Sequence, residues 1–227
     1  MLLLKKIFTS SVGRKSLMAI TGLALIGFLL GHLAGNLLIF KGQDAMNSYA
    51  ENLQSLGALL WVVRGGLLTI FAIHVGLGLL LTLENKRARP VAYQYSSTIQ
   101  ASLASRSMYI TGILILAFII MHLAHFTLGL VQPEFYHNVD ADGRHDVYNM
   151  VVLGFQNPLF AGAYIFFIAS LALHLSHGLP SLFQSIGWNS PRFNDIFHRV
   201  GVTVALLLLI GYSSIPLACW LGYVRVH

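Results

Sequence analysis

The sequence predicts an all-α membrane protein of five transmembrane helices, the first four gathered into a four-helix bundle. Three observations carry that expectation. Five apolar stretches each exceed the roughly 20 residues needed to cross a hydrocarbon core of about 30 Å. Of the 227 residues 56% are hydrophobic and only 10% charged, with a mean hydropathy of +0.71, whereas soluble domains carry roughly 25% charged residues. The basic residues fall mostly between the apolar stretches, as topology signals do, which argues against nucleic acid as a partner.

The spans follow in order. Span I, at 16–40, comes after a basic segment (Lys5, Lys6, Arg14, Lys15) and is too long for a signal-peptide core, so it reads as a retained helix. Span II lies at 59–83 and span III at 107–131. Span IV, at 158–185, opens on Pro158, which suits a first helical turn, while Pro180 is expected to end or kink it. Span V, at 195–223, carries Pro216 as a candidate kink and Cys219, the single cysteine. One cysteine excludes an internal disulfide and cysteine-ligated zinc or iron–sulfur centres within this chain. Short connections predict one domain over 1–227, without a soluble catalytic module.

Charge orients the spans. With the N-terminus inside, Lys5, Lys6, Arg14, Lys15, Lys86, Arg87, Arg89, Arg106, Arg192 and Arg199 lie inside, ten of the fourteen basic residues. Lys41, Arg64, Arg144 and Arg225 lie outside. The bias predicts a cytoplasmic N-terminus and an outer C-terminus.

Four spans carry histidine: His32 in FLLGHLAGN, His74 in FAIHVGLG, His122 and His125 in FIIMHLAHF, and His174 and His177 in LALHLSHGL. Ionisable groups at membrane depth are costly and mark functional positions. Imidazole is the commonest protein ligand for metals and holds haem iron. One histidine on each of four helices is the number needed for two bis-histidine haems. Spans I and III run outward, placing His32 and His122 roughly 5 Å to the outer side of the midplane. Spans II and IV run inward, placing His74 and His174 roughly 2–4 Å to the inner side. Direction and spacing therefore pair His32 with His122 and His74 with His174, as two stacked cofactors. His125 and His177 each follow a candidate by three residues on nearly the same face, and either could be the ligand instead; depth favours His122 and His174. A single such histidine is as consistent with an interhelical hydrogen bond, but four at paired depths favour a cofactor. Gly27, Gly31, Gly35, Gly76 and Gly78 read equally as room for a macrocycle or as close helix packing. Without a C-x-x-C-H motif the haem is of b type rather than c type.

These residues resemble the cytochrome b subunit of succinate dehydrogenase and quinol:fumarate reductase, in its five-helix, two-haem form. The resemblance rests on SSVGRKSLMAITGL, HLAGNLLIF with FKGQDAMNSYAENL, FAIHVGLG, TGILILAFIIMHLAHF and LALHLSHGLPSLFQSIGW, in that order over nearly the whole chain. It implies His32, His74, His122 and His174 as iron ligands, first helix with third and second with fourth. It also implies a flavoprotein subunit holding FAD and an iron–sulfur subunit on the cytoplasmic side, with Lys86–Arg89 and Arg106 suited to docking. Menaquinone or another quinone is the implied substrate, in a bacterial inner membrane, and a dimer of the whole complex belongs to the same reading. Near the outer haem, Glu51 is a candidate for quinone proton transfer and Arg64 for a haem propionate. Arg14, Lys15 and Arg106 are the corresponding inner candidates. Some family members carry a fourth-helix glutamate thought to conduct protons; here span IV has no carboxylate, and Ala172 stands two residues before His174. Two other readings share part of the pattern: a dihaem cytochrome b of a hydrogenase or formate dehydrogenase, and a histidine-dependent proton or metal transporter.

Overall fold

The computed structural model describes residues 10–88, 102–188 and 190–226; Lys5, Lys6 and Arg89 lie outside them. Helix α1 (Ser11–Asn36) opens on Ser10, whose hydroxyl accepts the Gly13 N–H at 3.0 Å, and runs on into a 3-10 turn at Leu37–Lys41. Gly42, at φ 102°, turns the chain into α2 (Gln43–Ser55), and Gly57, at φ 53°, turns it again into α3 (Ala58–Arg87). Both angles lie in the region that favours glycine. Helix α4 (Leu103–His122) starts at a Ser102 cap and continues through a π-helical turn at Leu123–Thr127. Asp146 caps α5 (Val147–Gln156), and Asn157 caps α6 (Pro158–Ser185), with Pro158 in the first turn. Helix α7 (Pro191–Trp220) completes the fold.

Five segments are long and apolar enough to span a membrane: Ser11–Lys41, Ala58–Arg87, Leu103–Thr127, Pro158–Ser185 and Pro191–Trp220. Several run past the predicted boundaries, because polar first and last turns extend a helix beyond its apolar stretch. No strand occurs among the described residues, only an isolated bridge between Val139 and His145. Helices α1, α3, α4 and α6 close a ring, each contacting the next, and α7 packs along α6 and reaches α1.

Two features depart from the predicted arrangement. The connections contain helices α2 and α5, which cap one end of the bundle. Helix α2 is amphipathic, and the ten-residue α5 is too short to span, so neither registers as an apolar stretch of membrane length. Pro180 does not end its helix, which continues to Ser185. Its ring instead seats on α7, where a Cβ added to Gly201 would lie 2.6 Å from Pro180 Cδ. A second small-residue contact ties α7 to α1: a Cβ on Gly211 would lie 2.7 Å from Leu33 Cδ2. Lipid tails give no hydrophobic drive between helices, so such close approach supplies the packing attraction that holds them together.

The cap is fastened by polar groups. Fully buried Asn47 of α2 donates to Asp140 Oδ2 at 2.9 Å and Asp146 Oδ1 at 3.1 Å, and accepts the Tyr148 N–H at 2.9 Å. Arg144 reaches Asp140 at 2.8 Å, Asp44 at 3.0 Å and Asp142 at 3.1 Å. Within the acidic loop Asp140–Asp146, Arg144 thus offsets the charge of Asp140 and Asp142, and it ties the loop to Asp44 of α2.

Candidate cofactor site

The four candidate histidines fall in two layers. In the layer nearer the cap, His32 of α1 and His122 at the end of α4 have ring centroids 5.9 Å apart, at 87°. Two imidazoles bound through nitrogens to one metal at about 2 Å each would have centroids about 6 Å apart. Phe28 and Phe118, each one turn earlier on the same helices, pack on these rings at 5.2 and 5.8 Å, and Tyr212 of α7 lies 6.2 Å from His32. The other layer holds His74 of α3 and His174 of α6. The His74 ring lies against Gly22 of α1, and the His174 ring against Gly112 of α4.

Ring nitrogens sort the histidines. Thr21 Oγ1 sits 3.1 Å from His74 Nδ1, and Thr111 Oγ1 sits 3.1 Å from His174 Nδ1. His32 Nδ1 is 3.4 Å from the Asn36 amide, and His122 Nδ1 is 3.5 Å from the Tyr164 hydroxyl. At His74 and His174 the threonine oxygen can accept an Nδ1–H, the arrangement in which Nε2 serves as ligand, whereas the Asn36 amide beside His32 is a donor and offers no such acceptor. His125 differs. It is buried, with Nδ1 3.1 Å from Tyr164 Oη and Nε2 2.7 Å from Gln132 Oε1, so both nitrogens are engaged. The π-helical turn interrupts the α register that would have stacked His125 on His122. His177 Nε2 meets Ser181 Oγ at 3.1 Å, one turn further along α6.

The layers are further apart than direction and span midpoints suggest. His74 sits level with Thr21, eleven residues before His32 on α1, a rise of about 16 Å. The helices are staggered, so midpoints of apolar stretches are poor markers of depth.

The donor set suits a metal carried in a macrocycle. Among the described residues no three His, Cys, Asp or Glu side chains converge on one point; the histidines come in twos, the number of protein donors that a metal already held by four macrocycle nitrogens would need. Room exists beside them: a Cβ on Gly27, Gly31 or Gly76 would meet nothing within 4 Å. Gly35 is a packing glycine, since a Cβ there would strike the Tyr49 ring of α2 at 2.5–2.6 Å.

The other candidates lie at the bundle ends. Arg14 pairs with Glu84 at 2.6 Å, tying α1 to α3. Lys15 lines an open groove of about 380 Å³ with Met18, Leu81, Ser181, Gln184 and Ser185. Arg106 is exposed near the start of α4, and Glu51 is exposed on α2. Arg64, also exposed, lies over the Trp61 ring at 5.1 Å. Among the described residues no hydrogen bond links Glu51 or Arg64 to His32 or His122; Arg64 is engaged with Trp61 instead.

Thr21 and Thr111 are absent from the sequence-based site, though a signal for them exists. Ile20-Thr21-Gly22, Phe28 and His32-Leu33-Ala34 recur ninety positions later as Ile110-Thr111-Gly112, Phe118 and His122-Leu123-Ala124. Ala72, His74 and Gly78 recur one hundred positions later as Ala172, His174 and Gly178. Two similar halves, α1–α3 and α4–α6, thus each place a threonine on the first helix against the histidine of the last. Searches of family models, curated proteins and solved structures found no match to this chain.

Proposed function

We propose that this chain is a dihaem cytochrome b, the membrane anchor of a succinate dehydrogenase or quinol:fumarate reductase. The observation that carries the reading is the pairing of four intramembrane histidines in two layers, with the threonine acceptors at Nδ1 of His74 and His174 leaving their Nε2 for a metal. In this reading His32 with His122, and His74 with His174, hold two b-type haems, which when bound supply one-electron transfer across the membrane. The histidines fix position, and Phe28 and Phe118 restrict the rings of the first pair. Lys15, in its open groove beside Ser181 and Gln184, suits a propionate of the haem at His74 and His174; Arg14 and Arg106 flank the same end. Glu51, exposed on the cap, is the group available to exchange protons with quinone. Charge bias supports a cytoplasmic N-terminus in a bacterial inner membrane, with Lys86, Arg87 and Arg106 facing the iron–sulfur subunit, behind which the flavoprotein carries the succinate chemistry. The choice of this family over other dihaem cytochromes rests on the motif resemblance.

The test is a reduced-minus-oxidised spectrum with haem quantitation on the wild type, His32→Ala and His174→Ala. Two haems are expected in the wild type and one in each variant. A colourless wild type would overturn the haem assignment in favour of a transporter, and a variant retaining both haems would overturn the ligand pairing. Co-purification with subunits lacking succinate-to-dye activity would move the chain to a hydrogenase or formate dehydrogenase.

A further inference from the structure

The two threonines have one proton each to give, and the helix takes it. Thr21 Oγ1 lies 2.9 Å from the Leu17 carbonyl and 3.0 Å from the Met18 carbonyl, and Thr111 Oγ1 lies 3.1 Å from the carbonyls of Ser107 and Met108. A hydroxyl that donates backwards to its own helix has only lone pairs left for a neighbour. Both hydroxyls are buried, with residue exposures of 5% and 3%, so no bulk water competes for them. The histidine nitrogen facing each oxygen must therefore carry the hydrogen: His74 and His174 are both held as the Nδ1–H tautomer, with the Nε2 lone pair bare.

The pair nearer the cap lacks this device. The Asn36 amide already donates to the His32 carbonyl at 2.7 Å and only approaches Nδ1 at 3.4 Å, while Tyr164 stands 3.5 Å from His122 and nearer, at 3.1 Å, to His125. A ring that donates from Nδ1 to an oxygen is a more basic ligand at Nε2 and favours the more highly charged metal.

We infer that Thr21 and Thr111 are positioning residues that lock His74 and His174 as Nε2 ligands and lower the reduction potential of the centre they share, leaving the other centre untouched. The inference rests on the haem reading above. It is tested by spectroelectrochemical titration of the full chain in its membrane complex, comparing Thr21→Val and Thr111→Val with Thr21→Ser and Thr111→Ser. Valine keeps the shape and removes the hydroxyl; serine keeps the hydroxyl. Each valine variant is expected to retain both haems and raise one of two potentials, by about 59 mV if the ferric preference weakens tenfold. The serine variants stay at the wild-type value. Haem loss in valine but not serine variants supports the same role. Unchanged potentials in the valine variants, equal shifts at both centres, or serine variants that behave as valine overturn it. A wild type without b-type haem overturns the reading beneath it instead, so the two failures are distinct.

Discussion

At the residue scale, the best-determined side chain in the cap is Asn47. Removing it would take the side-chain oxygen that accepts the Tyr148 N–H and a buried donor from each of Asp140 and Asp146. A single buried unsatisfied group costs about 1–3 kcal/mol. Asn47→Ala is therefore expected to lower the thermal midpoint of the detergent-solubilised protein, and an unchanged midpoint would show that the network tolerates the loss. The same cluster sets a pH limit. Desolvation opposes ionisation of Asp140, but hydrogen bonds from Asn47 and Arg144, together with the Arg144 charge, outweigh it and hold its carboxyl at about 2. A carboxyl depressed in the folded state stabilises the fold above its unfolded value of about 3.9 and loses that contribution as pH falls toward the folded value. The attachment of α2 is expected to be insensitive to pH between 7 and 5 by hydrogen exchange of residues 43–55, and to loosen as pH drops from about 4 to about 2. Loosening already at pH 5 would place control of the cap elsewhere.

At the element scale, what sequence makes legible depends on which physical signal an element carries. The five spans were readable because apolar length is itself the condition for crossing a bilayer. Helices α2 and α5 were not, because one is half polar and the other is ten residues long. His32 and His122 could be matched by direction and spacing, with His125 left as the alternative that the resemblance set aside, and the structure sets the His32 and His122 rings 5.9 Å apart. Thr21 and Thr111 could not, since a threonine in an apolar helix reads as an ordinary back-bonded hydroxyl until the helix it faces is known. Glycines divide in the same way. Gly201 admits Pro180, and overpacking such a contact costs about 1–3 kcal/mol, so Gly201→Ala should destabilise the α6–α7 hairpin. Gly162, exposed on α6 with open space beside it, should accept alanine without loss of helical content. Equal melting shifts for Gly201→Ala and Gly162→Ala, measured by circular dichroism in one detergent, would contradict this division.

At the scale of the whole molecule, the two ends of the bundle differ in kind. One end gathers the start of α1, the end of α3 and the start of α4, with Arg14, Lys15, Lys86, Arg87 and Arg106 around it. The other is closed by α2 and α5 and by the acidic loop that Arg144 ties down. Positive charge is retained on the cytoplasmic side during insertion, so the first end should face the cytoplasm and the cap should face outward. The chain is well suited to testing this, because its one cysteine, Cys219, is 1% exposed and contributes little background to thiol labelling. Gln54, exposed on α2, and Asn85, exposed near the end of α3, mark the two ends. In intact cells a membrane-impermeant maleimide should label Gln54→Cys and spare Asn85→Cys; in inverted vesicles the order should reverse. Labelling of Asn85→Cys in intact cells would invert the molecule and put the layer of His74 and His174, rather than that of His32 and His122, on the outer side.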